Sequence, residues 1–270
     1  MKLAFSNLAW ERDQEPEVRT LLHAGGVRGV EIAPGKVWSN PATVTASAAR
    51  AYRAEWEAAG IPIVAMQSLL FGHPELTLFQ SDESRAGMLD HLSRLFDLAH
   101  HLGAHCLVFG SPKNRAKGAM PAAQANAIAV DFFRKAGTAA RDRGVALCLE
   151  ANAKEYGCDF ITTSDEAAAL VTAVASPGFC LHLDWGCMEL AHENVVEQSL
   201  RLGAQARHFH LSSAALQPIL DRKRPAVEKI VAQFTQAGSK AWGSVEMLNP
   251  KGELETIRAV LREIGPCFEG

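Results

Sequence analysis

The sequence predicts a single (β/α)₈ barrel, one α/β domain over residues 1–270. Three observations predict it: eight short apolar runs, amphipathic stretches between them, and glycines where helix must give way to strand. The runs occupy residues 3–5, 29–32, 61–66, 105–109, 145–149, 179–183, 206–211 and 244–247. They are apolar at consecutive positions, as strands covered on both faces of a parallel sheet must be. Helical periodicity is clearest over residues 84–102. There Leu89, Leu92, Leu95, Phe96 and Ala99 recur at three- and four-residue spacing, with Asp90, Arg94 and Asp97 on the other face. Similar patterns cover 122–143 and 165–175. Gly60, Gly103, Gly144, Gly203 and Gly238 each follow a helical pattern and precede a run, where a left-handed C-cap belongs. An open doubly wound sheet uses the same units, but eight of them without a break in composition favour a closed ring.

Length and composition set the outer bounds. The 270 residues are 48% hydrophobic and 21% charged, ordinary for a globular chain able to bury a large core. The formal net charge is -3, which argues against a nucleic-acid-binding surface. No stretch approaches the roughly 20 apolar residues of a membrane span. The apolar start at residues 1–5 is cut short by Ser6, Asn7 and the charged Glu11-Arg12-Asp13, unlike a secretion signal. Cys106, Cys148, Cys158, Cys180, Cys187 and Cys267 form no C-x-x-C pair and read as free thiols of a reducing, cytoplasmic protein.

Chemistry gathers in the second half. The last four runs end in Glu150, Asp184, His210 and Glu246. Active sites of such barrels lie at the C-terminal ends of the strands, and strands five to eight are neighbours in the ring. Three carboxylates and one imidazole form a donor set for a hard or borderline divalent cation, Mn²⁺ before Mg²⁺, Co²⁺ or Zn²⁺. Each residue also has an ordinary role open to it. Glu150 could favour a helix N-terminus, Asp184 could cap or turn, and His210 could be a packed barrel histidine. His182 and His208 lie two residues before Asp184 and His210, on the same inward face one layer deeper, where they would orient the ligands.

These residues resemble a family. Glu31-Ile32-Ala33-Pro34, the segment from Phe109 to Arg115, Leu149-Glu150-Ala151-Asn152 and the segment from Tyr156 to Phe160 carry the likeness. So do Leu181-His182-Leu183-Asp184, His208-Phe209-His210 and Ser244-Val245-Glu246-Met247. The chain is similar to the sugar phosphate isomerase/epimerase family of the xylose-isomerase-like (AP endonuclease type 2) barrels. The resemblance implies metal ligation by Glu150, Asp184, His210 and Glu246. It also implies acid/base work by Glu150 and Glu246, through proton abstraction beside a metal-bound carbonyl and a cis-enediolate. The substrate would be a small carbohydrate or polyol. Barrels of this group often associate, which leaves room for a homo-oligomer.

The shell around that core departs from ketose epimerases. Where they carry a histidine after the aspartate, this chain has Cys187; where they carry a glutamate after the first ligand, it has Tyr156; residues 211–217 supply no arginine. Candidate substrate contacts are therefore Lys113 and Arg115, as phosphate or carboxylate binders, with Asn152, Lys154, Tyr156, Gln67, His73, Trp185 and Cys187. Trp10 and Trp38 are candidates to stack on a sugar or close a lid. An isomerase or epimerase is the leading expectation. A lyase dehydrating an inosose-like keto-polyol on the same metal, and a non-catalytic sugar-binding protein, are the alternatives. A DNA-repair nuclease would need more ligands and a basic face.

Overall fold

The computed structural model describes residues 1–220 and 223–268. Eight strands pair in parallel and in chain order: β1 Lys2–Ser6, β2 Gly29–Ile32, β3 Ile63–Met66, β4 Cys106–Phe109, β5 Ala146–Leu149, β6 Phe179–Asp184, β7 Ala206–Leu211 and β8 Trp242–Val245. β8 also pairs with β1, so the sheet is a closed barrel and not an open doubly wound one. Helices α1 Glu15–Ala24, α2 Ala46–Ala58, α3 Asp82–Leu102, α4 Ala122–Arg141 and α5 Ser164–Val174 follow the first five strands in turn. Two helices, α6 Trp185–Leu190 and α7 Val195–Leu202, follow β6; α8 Arg224–Gln236 follows β7 and α9 Leu254–Ile264 follows β8.

Every apolar run holds a strand, but the last strand ends at Val245, two residues sooner than the pattern suggests. Glu246 and Met247 thus leave the sheet at its rim. The longest helix shows how local sequence sets the ends. Ser81 accepts a hydrogen bond from the Ser84 amide at the N-terminus of α3, and Gly103 (φ 81°) closes its C-terminus in the left-handed region. Gly60, Gly144 and Gly238 are left-handed too, but Gly203 is not (φ -57°). Gly203 is needed for space instead: a Cβ there would lie 2.5 Å from the Ser199 carbonyl oxygen and 2.6 Å from the Phe234 ring.

Period-two alternation divides the strands between two environments. Leu3, Phe5, Val30, Ile32, Leu107, Phe109, Leu147, Leu149, Leu181, Leu183, Phe209 and Leu211 belong to the main core, shared with the helices. The barrel interior holds a second, smaller cluster of Ala4, Val64, Ala65, Cys106, Val108, Ala146 and Cys148. Toward the C-terminal ends of the strands the interior turns polar, with Ser6, Glu31, Gln67, His182, Asp184, His208, His210 and Ser244 all buried. All six cysteines are free thiols. Among the described residues, no helix is long and apolar enough to cross a membrane.

Candidate active site

The polar end of the barrel opens into a cavity of about 350 Å³, at the small end of the range for ligand pockets. Glu150 follows β5 directly, Asp184 is the last residue of β6, and Glu246 follows β8; all three line this cavity. His210, on β7, lies beneath them and is 1% exposed. Its Nδ1 is 3.2 Å from Glu246 Oε2 and 3.6 Å from Asp184 Oδ2, yet makes no hydrogen bond. Acceptors and a ring nitrogen that crowd without bonding are what a shared cation site requires. Among the described residues, Glu150, His182, Asp184 and His210 each offer a ligand atom within 4.8 Å of the others, and so do Glu31, His208 and His210. His182 is therefore closer to the donor set than its place one layer down suggests. Both of its ring nitrogens lack hydrogen-bond partners.

Each carboxylate is held in its own way. Asp184 caps α6: its Oδ1 accepts the Cys187 amide (2.5 Å) and its Oδ2 accepts the Ser212 hydroxyl (2.7 Å). The residue that caps α6 is thus also one that lines the cavity. Gly186 is needed because a Cβ there would lie 2.8 Å from the Ser213 carbonyl carbon. Glu150 depends on Gly110, the residue after β4, since a Cβ at that position would lie 2.4 Å from Glu150 Oε2. Beneath, both oxygens of Glu31 lie 3.1 Å from His210 Nε2, and Ser244 donates to its Oε2 at 2.7 Å. Sequence reasoning missed Ser212, Ser244 and the role of Glu31. Parity would have found them: Ser212 and Ser244 stand two residues from His210 and Glu246, and Glu31 is the lone charge in an apolar strand.

Burial and mutual repulsion decide the protonation of this cluster. Burial, with the Asp184 and Glu246 charges added, pushes the Glu150 carboxyl up to about 8. Burial also raises Glu246, against the pull of His210. Asp184 goes the other way: burial is outweighed by His210 and by donors from Cys187 and Ser212. For His210, burial is overcome by the Glu246 and Glu31 charges, so the ring is pushed up. Burial and the neighbouring rings of His210 and His208 keep His182 well down, hence neutral. Glu150, Glu246 and His210 therefore all hold protons more tightly than in water.

The rest of the expected shell divides. Gln67, Asn152, Tyr156 and Cys187 line the cavity. The Cys187 thiol points at Glu150 Oε1 (3.6 Å) and receives the Asn152 amide (3.7 Å). Tyr156 accepts the Ala215 amide at 2.8 Å and so pins the turn after β7. Lys113, Arg115, Lys154, His73 and Trp185 do not line the cavity. Arg115 is fully buried; it donates to the Glu150 carbonyl and to Asn152 Oδ1, both at 2.7 Å. Its two terminal nitrogens are committed to these acceptors, its Nε is buried without a partner, and the side chain does not line the cavity. Lys113 is exposed in the loop after β4. Lys154 lines a separate groove with Asp159 and Thr162. His73 pairs with Glu75 and rests on His91. Trp185 is buried, with its indole bonded to Glu189. Trp10 packs between Phe5 and Trp56, and Trp38 against Tyr52.

Backbone strain marks the same place. Of the non-glycine residues with positive φ, Ser68, Ser111, Ala215 and Leu216 all line this cavity. Such conformations cost of order 1–3 kcal/mol each and gather at functional sites.

The comparisons agree on architecture. A family model described as xylose isomerase-like TIM barrel matches residues 20–265. No curated protein matches the chain in sequence. A solved structure of D-psicose 3-epimerase from Clostridium cellulolyticum H10 is similar, with a TM-score of 0.76 and 16% identity over 99% of this chain and 96% of that one. A 3-keto-D-glucoside 4-epimerase from E. coli gives 0.71 and 15%, over 97% and 98%. An AP endonuclease, family 2, from Brucella melitensis gives 0.71 and 17%, over 95% and 96%. At such identities the likeness is one of fold. With the model spanning nearly all of the sequence, the chain belongs to the xylose isomerase-like TIM barrel family.

Proposed function

We propose that this protein is a divalent-metal-dependent isomerase or epimerase of a small, uncharged sugar or keto-polyol. The observation that carries the reading is Glu150, Asp184 and Glu246 around one cavity above His210, whose Nδ1 is buried, unpartnered and facing Asp184 and Glu246, although Glu246 stands outside the tight group of Glu150, His182, Asp184 and His210. That donor set fits a hard or borderline cation, Mn²⁺ first, with Mg²⁺, Co²⁺ and Zn²⁺ as alternatives. When bound, such an ion neutralises the carboxylates and polarises a carbonyl oxygen, which acidifies the adjacent C–H.

Glu150 and Glu246 are the groups assigned to move protons. Both carboxyls line the cavity where a substrate would sit, and in the metal-free cluster burial raises both. One takes the proton beside the carbonyl and the other returns one. Asp184 stays ionised and is held by Cys187 and Ser212, which suits it to ligation and not to transfer. Gln67, Asn152, Tyr156, Ser212 and Ser213 offer neutral donors and acceptors for hydroxyl groups.

The lining favours a neutral substrate. Among the described residues, no lysine or arginine lines the cavity, and the charged residues that do are Glu150, Asp184 and Glu246. A phosphate would meet no basic side chain among the described lining residues, so we take the favoured substrate to be neutral. Two of the three similar structures named above are sugar epimerases, which supports the reaction class. The test is deuterium exchange from solvent into a panel of neutral and phosphorylated ketoses with Mn²⁺, for wild type and Glu150→Gln. Exchange into a neutral ketose, lost in the variant, is expected. Exchange into no sugar, or only into phosphorylated ones, would overturn the reading, and loss of water from the product would redirect it to a lyase.

A further inference from the structure

We infer that Glu31 is a positioning residue that holds His210 in the tautomer whose Nδ1 lone pair faces Asp184 and Glu246. The inference rests on the cation-binding reading of the four strand-end residues.

Glu31 lies on β2, three strands around the ring from β7, and is fully buried in the barrel. Both of its oxygens are 3.1 Å from His210 Nε2. Ser244, on β8, donates to Oε2 at 2.7 Å. His208 Nε2 stands 3.2 Å from Oε1 but outside hydrogen-bond alignment. An ionised carboxylate only accepts hydrogen bonds, so a ring nitrogen facing both oxygens must carry the hydrogen. Once the ring gives up its second proton, as it must to bind a cation, the other nitrogen is bare. That nitrogen, Nδ1, makes no hydrogen bond although two carboxylate oxygens lie within 3.6 Å.

The alternative arrangement shows what Glu31 prevents. If Nε2 were free, the ring would place its hydrogen on Nδ1 and donate to Glu246, whose Oε2 is already 3.2 Å away. The position a cation needs would then be filled by an N–H. Outer partners that fix a ligating histidine in this way are worth about 10- to 100-fold in metal affinity. Glu31 does not line the cavity; it would act by holding His210, and its charge also reaches Glu246.

The test uses full-length wild type, Glu31→Gln and Ser244→Ala. Mn²⁺ affinity is read from the electron paramagnetic resonance of the free ion. The His210 ring is read by ¹H–¹⁵N correlation on ¹⁵N-histidine protein, metal-free and with Mg²⁺. In wild type the Nε2 hydrogen should be present and shifted downfield by the carboxylate in both forms. Glu31→Gln should lose that shift and raise the Mn²⁺ Kd about 10- to 100-fold with unchanged circular dichroism. Ser244→Ala, which removes one donor from Glu31, should raise it several-fold and serves if Glu31→Gln does not fold. A folded variant with wild-type affinity and an unmoved His210 signal overturns the inference. So does a wild-type His210 with no hydrogen on Nε2. If wild type binds no Mn²⁺, the cation reading falls by itself, and the metal-free His210 signal still decides the part played by Glu31.

Discussion

The two halves of the barrel mouth are built from the same βα units yet carry different chemistry. Strands β5–β8 carry Glu150, Asp184, His210 and Glu246 at or just beyond their C-terminal ends. Strands β1–β4 lead into neutral residues: Asn7 accepts the Ala33 amide at 2.7 Å, and Gln67, which lines the cavity, donates to Ser6 at 2.7 Å. Gly110 supplies only room for Glu150, and Glu31 lies one layer down against His210. One half supplies the charged groups. The other supplies clearance, neutral hydrogen bonding and the orientation of a single imidazole. A reactive site in this fold therefore needs few acidic strand ends but many quiet ones.

Breaking the charged half should have the largest effect. Glu150→Gln and Glu246→Gln should each lower solvent exchange by about 10²- to 10⁴-fold, the range for loss of a general acid or base. A smaller loss would mean that neither carboxylate moves the proton. Next comes Arg115, which ties the segment after β5 to the loop after β4 through the Glu150 carbonyl and Asn152. Arg115→Met should cost about 3 kcal/mol in chemical denaturation, because two buried acceptors lose a charged donor. If Arg115 instead bound substrate, KM would rise with stability unchanged.

The pH response sharpens the contrast. In the metal-free protein Glu150 (about 8) and His210 both hold protons more tightly than the unfolded chain does. A raised carboxyl stabilises while protonated, so that contribution fades as pH climbs toward 8. A raised histidine stabilises while charged, and its contribution fades above 6.5. Metal-free protein should therefore lose stability between pH 6.5 and 8, and Mn²⁺ should flatten the curve. A metal-free melting curve independent of pH across that window would show that the cluster does not share charge as described.

Smaller effects probe the quiet half. Gly110→Ala places a methyl 2.4 Å from Glu150 Oε2 and should weaken Mn²⁺ binding in calorimetry more than it lowers the melting temperature. Lys113→Ala, in an exposed loop off the cavity, should change stability by less than about 0.5 kcal/mol and leave KM unaltered. A raised KM would return Lys113 to the substrate shell.

What the sequence makes legible follows from these differences. The ring of strands shows because consecutive apolar residues and glycine caps are local signals, and Gly103 keeps its place as a left-handed cap. The four strand-end residues show because a polar residue ending an apolar run is conspicuous. The substrate shell is less legible because loop residues carry no periodicity. Lys113, Lys154 and Arg115 follow the right strands, but only the folded loops turn them outward or bury them. Gly203 misleads for a related reason, since its place after a helix hides a packing need against Phe234. The strain at Ser68, Ser111, Ala215 and Leu216 leaves no trace in residue type, since none is glycine or asparagine.

The most direct measurement is anomalous diffraction from crystals soaked in Mn²⁺. The account predicts one strong peak bounded by Glu150, Asp184, His210 Nδ1 and Glu246, with Glu31 still on Nε2. An empty cavity, or a peak seated only among Glu31, His208 and His210, would contradict it.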